Sequence, residues 1–227
     1  MSSPKLHSKN LTKKFGALTA VNEVSFEVAE GELMALIGPN GAGKTTLFNL
    51  LTGQLVPTSG DVFFNGEQVT SLSPEERTRL GLARSFQITN IFEGFSVLEN
   101  VLVALMSKHG YGLDAFHNRD GLDELRAEAV EILERFDLAD KRDVSAEMLS
   151  HGEKRALEIA VVVGIDPEML LLDEPTAGMS QVEIQTLLDL ISELAEEYTV
   201  LLVEHNMDVV MSVSDRIMVL HNGDRRS

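Results

Sequence analysis

The eight residues Gly38-Pro39-Asn40-Gly41-Ala42-Gly43-Lys44-Thr45 fit the pattern G-x-x-x-x-G-K-[ST] at every constrained position. No other stretch of this chain restricts its fold as much. The apolar run Leu33–Ile37 precedes the motif and a helical pattern, Thr46–Leu51, follows it. A strand, a glycine-rich turn and a helix in that order curl successive backbone N–H groups around a phosphate, with the helix's positive end aimed at it. Lys44 has the reach for β- and γ-phosphates, and the Thr45 hydroxyl suits Mg²⁺. Gly38, Pro39, Asn40, Gly41, Ala42, Gly43, Lys44, Thr45 and Thr46 are therefore the candidate phosphate cradle. The spacing is not G-x-G-x-x-G, which argues against a dinucleotide-binding fold.

A second motif supplies acids. Met169–Leu172 reads as a buried strand and runs into Asp173-Glu174, which puts two carboxylates at the carboxyl edge of a sheet, where open α/β folds bind ligands. Asp173 suits Mg²⁺, a hard cation that takes oxygen ligands and keeps several waters. Glu174 is placed to orient and deprotonate an attacking water.

The remaining pattern is α/β. Val200–Val203 and Ile217–Leu220 read as further buried strands, and strands alternating with longer helical patterns imply a parallel sheet. Gln181–Glu197 carries Ile184, Leu187, Leu188, Ile191, Leu194 and Ala195 on one face, and Leu122–Phe136 has a similar stripe. Residues 5–30 and 61–70 read as hairpin strands, with Asn65-Gly66 as a turn. Residues 97–163 are mainly helical. The expected fold is a phosphate-loop ATPase core with a parallel sheet, an N-terminal antiparallel β subdomain and an inserted helical subdomain. It forms one domain, 1–227, with 1–86 and 164–227 as core and 87–163 as insertion.

Leu149-Ser150-His151-Gly152-Glu153, then Leu172-Asp173-Glu174-Pro175, then His205 after a strand complete the pattern. Together with the phosphate loop they resemble the ATP-binding-cassette ATPases over essentially the whole chain. The resemblance implies ATP and Mg²⁺ as cofactors. It also assigns Phe15 to stack on adenine with Val21 beside it, and Gln87 to contact Mg²⁺ and water and report on a membrane partner. Ser150 and Gly152 match the signature that reaches the γ-phosphate bound on the neighbouring protomer, and Ser150 suits the N-cap of a helix through Val163. His205 matches the switch histidine on the γ-phosphate. The pattern departs from the commonest form at His151 and Glu153, and at Ser180, where many members carry Asp.

Gly81-Leu82-Ala83-Arg84-Ser85-Phe86-Gln87, Leu157-Glu158-Ile159-Ala160, Ala177-Gly178-Met179 and Val203-Glu204-His205-Asn206-Met207 are similar to one branch, the ATPases of branched-chain amino acid importers. Urea-importer ATPases and those of lipopolysaccharide export stay open, as does the soluble ATPase of iron–sulfur-cluster assembly. The branch implies integral-membrane permease subunits and a second ATPase subunit in a homo- or heterodimer as partners. It implies an extracytoplasmic solute-binding protein indirectly, and a peripheral position on the cytoplasmic face of the membrane.

Composition agrees with these expectations. The longest apolar run, Val101–Met106, is far short of the ~20 residues that span a bilayer, and residues 1–10 lack the apolar core of a signal peptide. With 36 acidic and 19 basic side chains, the net charge of −17 offers no basic footprint for nucleic acid. Only 8 of the basic residues are Lys, a balance that resembles proteins of salt-adapted cytoplasms. Cys is absent, which rules out disulfides and thiolate metal sites.

Overall fold

A computed structural model describes residues 4–84, 91–111 and 119–226. By contacts it divides into two units. The first comprises 1–84, 167–175 and 191–227, and the second 85–166 and 176–190. The second thus takes in 176–190 as well as the region expected as a helical insertion.

Two sheets build the first unit. One is antiparallel, in the order β2 (Leu18–Val28), β1 (Leu6–Phe15), β4 (Ser59–Phe64), β5 (Glu67–Gln68). Asn65 and Gly66 join its last two strands with φ of 51° and 81°, the left-handed pair that a two-residue hairpin of this twist requires. The other sheet has the order β10 (Asp224–Arg226), β9 (Arg216–His221), β3 (Leu33–Ile37), β8 (Thr199–Val203), β7 (Met169–Asp173), β6 (Leu82–Arg84). It is parallel except for the β9–β10 hairpin.

Helix α1 (Lys44–Leu51) follows β3 directly. Its Leu47, Phe48, Leu50 and Leu51 join one buried cluster with Leu6, Val24, Phe26 and Phe64 of the antiparallel sheet and Met34, Leu36, Leu171 and Leu201 of the parallel one. The alternate residues Leu33, Ala35, Leu170, Leu172, Val200 and Leu202 are equally buried, so these strands are apolar on both faces. That explains why the sequence shows continuous runs there instead of alternation.

The far end of α1 is tied down by α2 (Pro74–Arg79). Arg77, 1% exposed, donates through Nη1 to the carbonyls of Leu50 and Leu51, through Nη2 to Thr70 O and through Nε to Leu72 O. Burial pushes its pKa down to about 10, which still leaves it cationic near neutrality. A cation there satisfies carbonyls that a helix C-terminus leaves without partners.

In the second unit α3 (Val97–Lys108), α4 (Arg119–Arg135) and α5 (His151–Gly164) pack together. Val101, Leu105, Leu133, Leu157 and Ala160 lie at 0% exposure. The buried Asn100 holds the chain ahead of α3, accepting from Phe92 N at 2.7 Å and donating to Phe92 O and Ser96 O. The amphipathic pattern 181–197 forms α6 (Gln181–Glu197), and α7 (Met207–Val213) completes the helices named here.

Candidate functional site

The loop between β3 and α1 is clasped from two sides. A Cβ on Gly43 would lie 2.2 Å from the carbonyl oxygen of Ala20, and Gly43 itself has φ of 97°. A Cβ on Gly38 would lie 2.3 Å from the carbonyl oxygen of Leu220. Both positions therefore need glycine, one for its conformation and both for close backbone approach. Gly223 N donates to Ala42 O at 3.0 Å, fixing the loop against the β9–β10 turn.

Helix α1 begins at this loop without a side-chain cap. Helices α2, α3 and α5 instead start with a reciprocal Ser/Glu capping box, at Ser73/Glu76, Ser96/Glu99 and Ser150/Glu153. The first-turn N–H groups of α1 thus have no side-chain oxygen assigned to them, the condition under which a helix start takes an anion. Lys44, 6% exposed, folds its ammonium back over the loop and donates to Gly38 O at 2.7 Å and Pro39 O at 3.4 Å.

A cleft of about 670 Å³ opens on this loop. Asn40 to Thr46 line it together with Phe15, Leu18, Thr19, Ala20, Glu174, Asn222 and Gly223. Phe15 is 48% exposed at its rim, with Lys13 Nζ 5.2 Å from the ring centroid. An aromatic face at one end and a cluster of N–H groups and an ammonium at the other match a base and its phosphates. Val21, expected beside the base, is fully buried and belongs to the core cluster. Phe15 and Val21 sit on paired strands, and on a strand the side chains alternate between faces.

The two acids separate at the end of β7. Asp173 is 2% exposed, and its Oδ2 accepts from Arg84 Nη2 at 3.0 Å. Burial lowers the pKa of Arg84, and the Asp173 charge beside it acts in the opposite direction. Glu174 turns the other way, onto the cleft. Its φ of 46° is left-handed, uncommon for a residue with a side chain, and its N–H is bonded to Val203 O at 2.8 Å. His205 follows β8 with its side chain 58% exposed. The fully buried Glu204 before it accepts from His205 N at 3.1 Å. Gln87, expected to join the site, lies outside the described residues.

No group of three or more His, Cys, Asp or Glu among the described residues could form a metal cage. Mg²⁺ in nucleotide sites is held by one or two protein oxygens, substrate phosphates and waters. The Thr45 hydroxyl and the Asp173 carboxylate are oxygen donors of the required kind.

In the second unit Ser150 caps α5, accepting from Glu153 N while Glu153 accepts from Ser150 N. The Glu153 carboxyl is held below its usual range, chiefly by its bond to Lys141. His151 Nε2 lies 3.0 Å from Ala177 O. Ser180 donates through both N and Oγ to Glu183, which also accepts from Gly152 N–H; these bonds keep the Glu183 carboxyl below its usual range, with Ser180 as the largest cause. The loop around Ser180 is thus bound to the start of α5, and Gly152 leaves room for the Glu183 carboxylate that bonds it. The reciprocal box at Ser150 is legible as Ser-x-x-Glu. Ser180-Gln181-Val182-Glu183, at the start of α6, carries the same signal and makes the same reciprocal pair, whereas His151 carries none.

A parallel sheet, a glycine-rich loop running into an uncapped helix, and a strand ending in two acids define a phosphate-loop nucleotide-binding protein. Comparisons narrow the class. Residues 21–177 match the family model described as ABC transporter. The chain is 41% identical to the high-affinity branched-chain amino acid transport ATP-binding protein LivG of Salmonella typhimurium, over 98% of this chain and 90% of the relative. It is equally similar to BraF of Pseudomonas aeruginosa, with the same coverage. An Archaeoglobus fulgidus protein described as a probable LivG is 38% identical, over 96% of this chain and 86% of that one. Among solved structures, the ADP conformation of MJ1267, an ATP-binding cassette of an ABC transporter, matches with a TM-score of 0.87 and 31% identity, covering 99% of this chain and 90% of that one. The dimeric post-hydrolysis state of the cassette MJ0796, bound to ADP and Pi, matches with a TM-score of 0.83 and 27% identity, over 98% and 97% of the two chains. The chain belongs to the ABC transporter family, as one of its ATP-binding cassettes, an ATPase.

Proposed function

We propose that this chain powers an importer for branched-chain or related hydrophobic amino acids, as an ATPase subunit bound to the cytoplasmic face of an integral-membrane permease. The observation that carries the solute assignment is the 41% identity, over 98% of the chain, to two proteins described as ATP-binding subunits of branched-chain amino acid transport. No helix among the described residues is long and apolar enough to cross a membrane, so the permease supplies the spanning segments. An extracytoplasmic binding protein delivers the solute to it.

In this reading Phe15 stacks on adenine, residues 38–46 hold the phosphates through their N–H groups, and the Lys44 ammonium neutralises the β- and γ-phosphates. Thr45, Asp173 and Gln87 would hold Mg²⁺, which would supply positive charge to the triphosphate. The Glu174 carboxylate accepts a proton from the attacking water as its oxygen bonds to the γ-phosphorus and the bond to the β-phosphate oxygen breaks. His205 donates to the γ-phosphate. Two subunits close head to tail, each presenting Ser150, Gly152 and the start of α5 to its neighbour's γ-phosphate. The reading is supported by the cleft's composition, by the position of Glu174 on it and by a relative cassette solved as a dimer. The acidic surface fits a cytoplasm of high salt, where screening weakens repulsion among like charges.

Affinity purification of the chain from native membranes tests the assignment. The expected result is co-purification of a permease whose ATPase activity, after reconstitution, rises with leucine- or valine-loaded binding protein. Stimulation by urea in place of these amino acids, or recovery of the chain with no membrane protein, would contradict it.

A further inference from the structure

Arg84 ends β6, three residues before Gln87, and makes contacts that the ATPase reading does not use. Its side chain is 7% exposed and makes three contacts on two elements of the first unit. Nη2 donates to Asp173 Oδ2 at 3.0 Å, at the end of β7. Nη1 donates to Asn49 Oδ1 at 2.7 Å, on α1. The guanidinium carbon lies 4.7 Å from the ring centroid of Phe48, also on α1.

The position of Asn49 matters. It stands four residues after Thr45 on α1, and residues i and i+4 share one helix face. Arg84 therefore links the face of α1 that begins at Thr45 to the carboxylate at the tip of β7. Thr45 and Asp173 are two of the three residues proposed here for Mg²⁺, and they come from elements far apart in the chain. The ladder relates β7 to β3, the strand leading into α1, through β8, and Arg84 adds a side-chain link between α1 and the tip of β7.

We propose that Arg84 is a positioning residue for the metal site: it sets the orientation of the Asp173 carboxylate and its spacing from Thr45, so that Mg²⁺ meets a preformed pair of oxygens. The proposal rests on the reading of Asp173 and Thr45 as metal ligands. Arg84 divides its fork, Nη1 to Asn49 and Nη2 to Asp173. Partners one layer behind metal ligands commonly fix ligand orientation in this way. Lysine could keep the charge but could not reproduce a planar fork that bonds two acceptors while lying on an aromatic ring.

A purely structural ion pair makes a different prediction. Its loss would lower stability without changing how much Mg²⁺ the folded protein needs. Binding of a fluorescent ATP analogue should be titrated with Mg²⁺, and in parallel with EDTA present. Direct Mn²⁺ binding by electron paramagnetic resonance, with unlabelled ATP, gives a second readout independent of turnover. Arg84→Met should raise the Mg²⁺ midpoint by about 10–100-fold and leave binding in EDTA unchanged. Arg84→Lys should fall between it and wild type, and Asn49→Ala should shift the midpoint in the same direction by less. Asp173→Asn serves as the reference.

If Asp173→Asn shifts the midpoint while folded Arg84→Met keeps the wild-type value, the proposal is overturned and the metal-ligand reading survives. Equal loss of binding with and without Mg²⁺ in Arg84→Met also overturns it, in favour of a structural role. If Arg84→Met does not fold, wild-type midpoints in both Arg84→Lys and Asn49→Ala overturn it. An unchanged midpoint in Asp173→Asn removes the underlying reading, and the inference with it.

Discussion

Glu174 is held with φ of 46° immediately after a fully buried strand, and that conformation turns its carboxylate to the cleft while Asp173 stays behind it. A left-handed residue with a side chain costs on the order of 1–3 kcal/mol and persists where surrounding contacts impose it. Here the bond from Glu174 N to Val203 O does so. Glu174→Gln keeps size and backbone but removes the base. Turnover should fall ~10²–10⁴-fold with ATP affinity retained, as read by phosphate release and equilibrium binding. Wild-type hydrolysis in that variant would remove Glu174 from its role. Lys44 and Thr45 could be singled out in the sequence because a phosphate loop has fixed spacing, and Asp173 and Glu174 because an apolar run ends in two adjacent acids. Arg84 was not legible. Its acceptors lie 89 and 35 residues away, and only the fold brings them to one guanidinium. The burial of Val21 was not legible for a related reason: a motif fixes a residue's neighbourhood, whereas the strand's pleat decides which face it occupies.

Among the elements, the central strands were readable because burial on both faces leaves continuous apolar runs, and the sequence-expected bounds of β3 and α6 coincide with the observed ones. Strand β6 was missed. It is three residues long at the sheet's edge, and its Arg84 reads as a surface residue until its partners are known. Helix α2 was missed because Pro-Glu-Glu-Arg-Thr-Arg looks fully solvated, although its Arg77 is among the most buried side chains. The caps of α3 and α5 are chemically alike, and this permits a comparison. Ser96→Ala and Ser150→Ala should each destabilise the protein by ~1 kcal/mol, the usual cost of a lost N-cap, as measured by denaturant unfolding. ATPase activity should fall only in Ser150→Ala. Equal activity in the two variants would leave Ser150 as a cap and nothing more.

At the scale of the whole molecule, charge and shared sites set the behaviour. A net charge of −17 makes self-repulsion a general destabilising term, and it weakens as the Debye length contracts from about 10 Å at 0.1 M salt to about 3 Å at 1 M. The thermal midpoint should therefore rise with KCl toward the molar range. A flat or falling midpoint would leave the acidic surface without its proposed meaning. The account's central claim, that nucleotide is hydrolysed in sites shared by two subunits, is tested most directly by mixing two inactive variants. Lys44→Ala lacks the phosphate-binding ammonium, and Ser150→Arg blocks the start of α5; each should be inactive alone. A mixed dimer joins an intact Lys44 to an intact Ser150 in one of its two sites, so mixing should restore detectable, subnormal ATPase activity. A complex shown to contain both variants, yet as inactive as either parent, would contradict the claim.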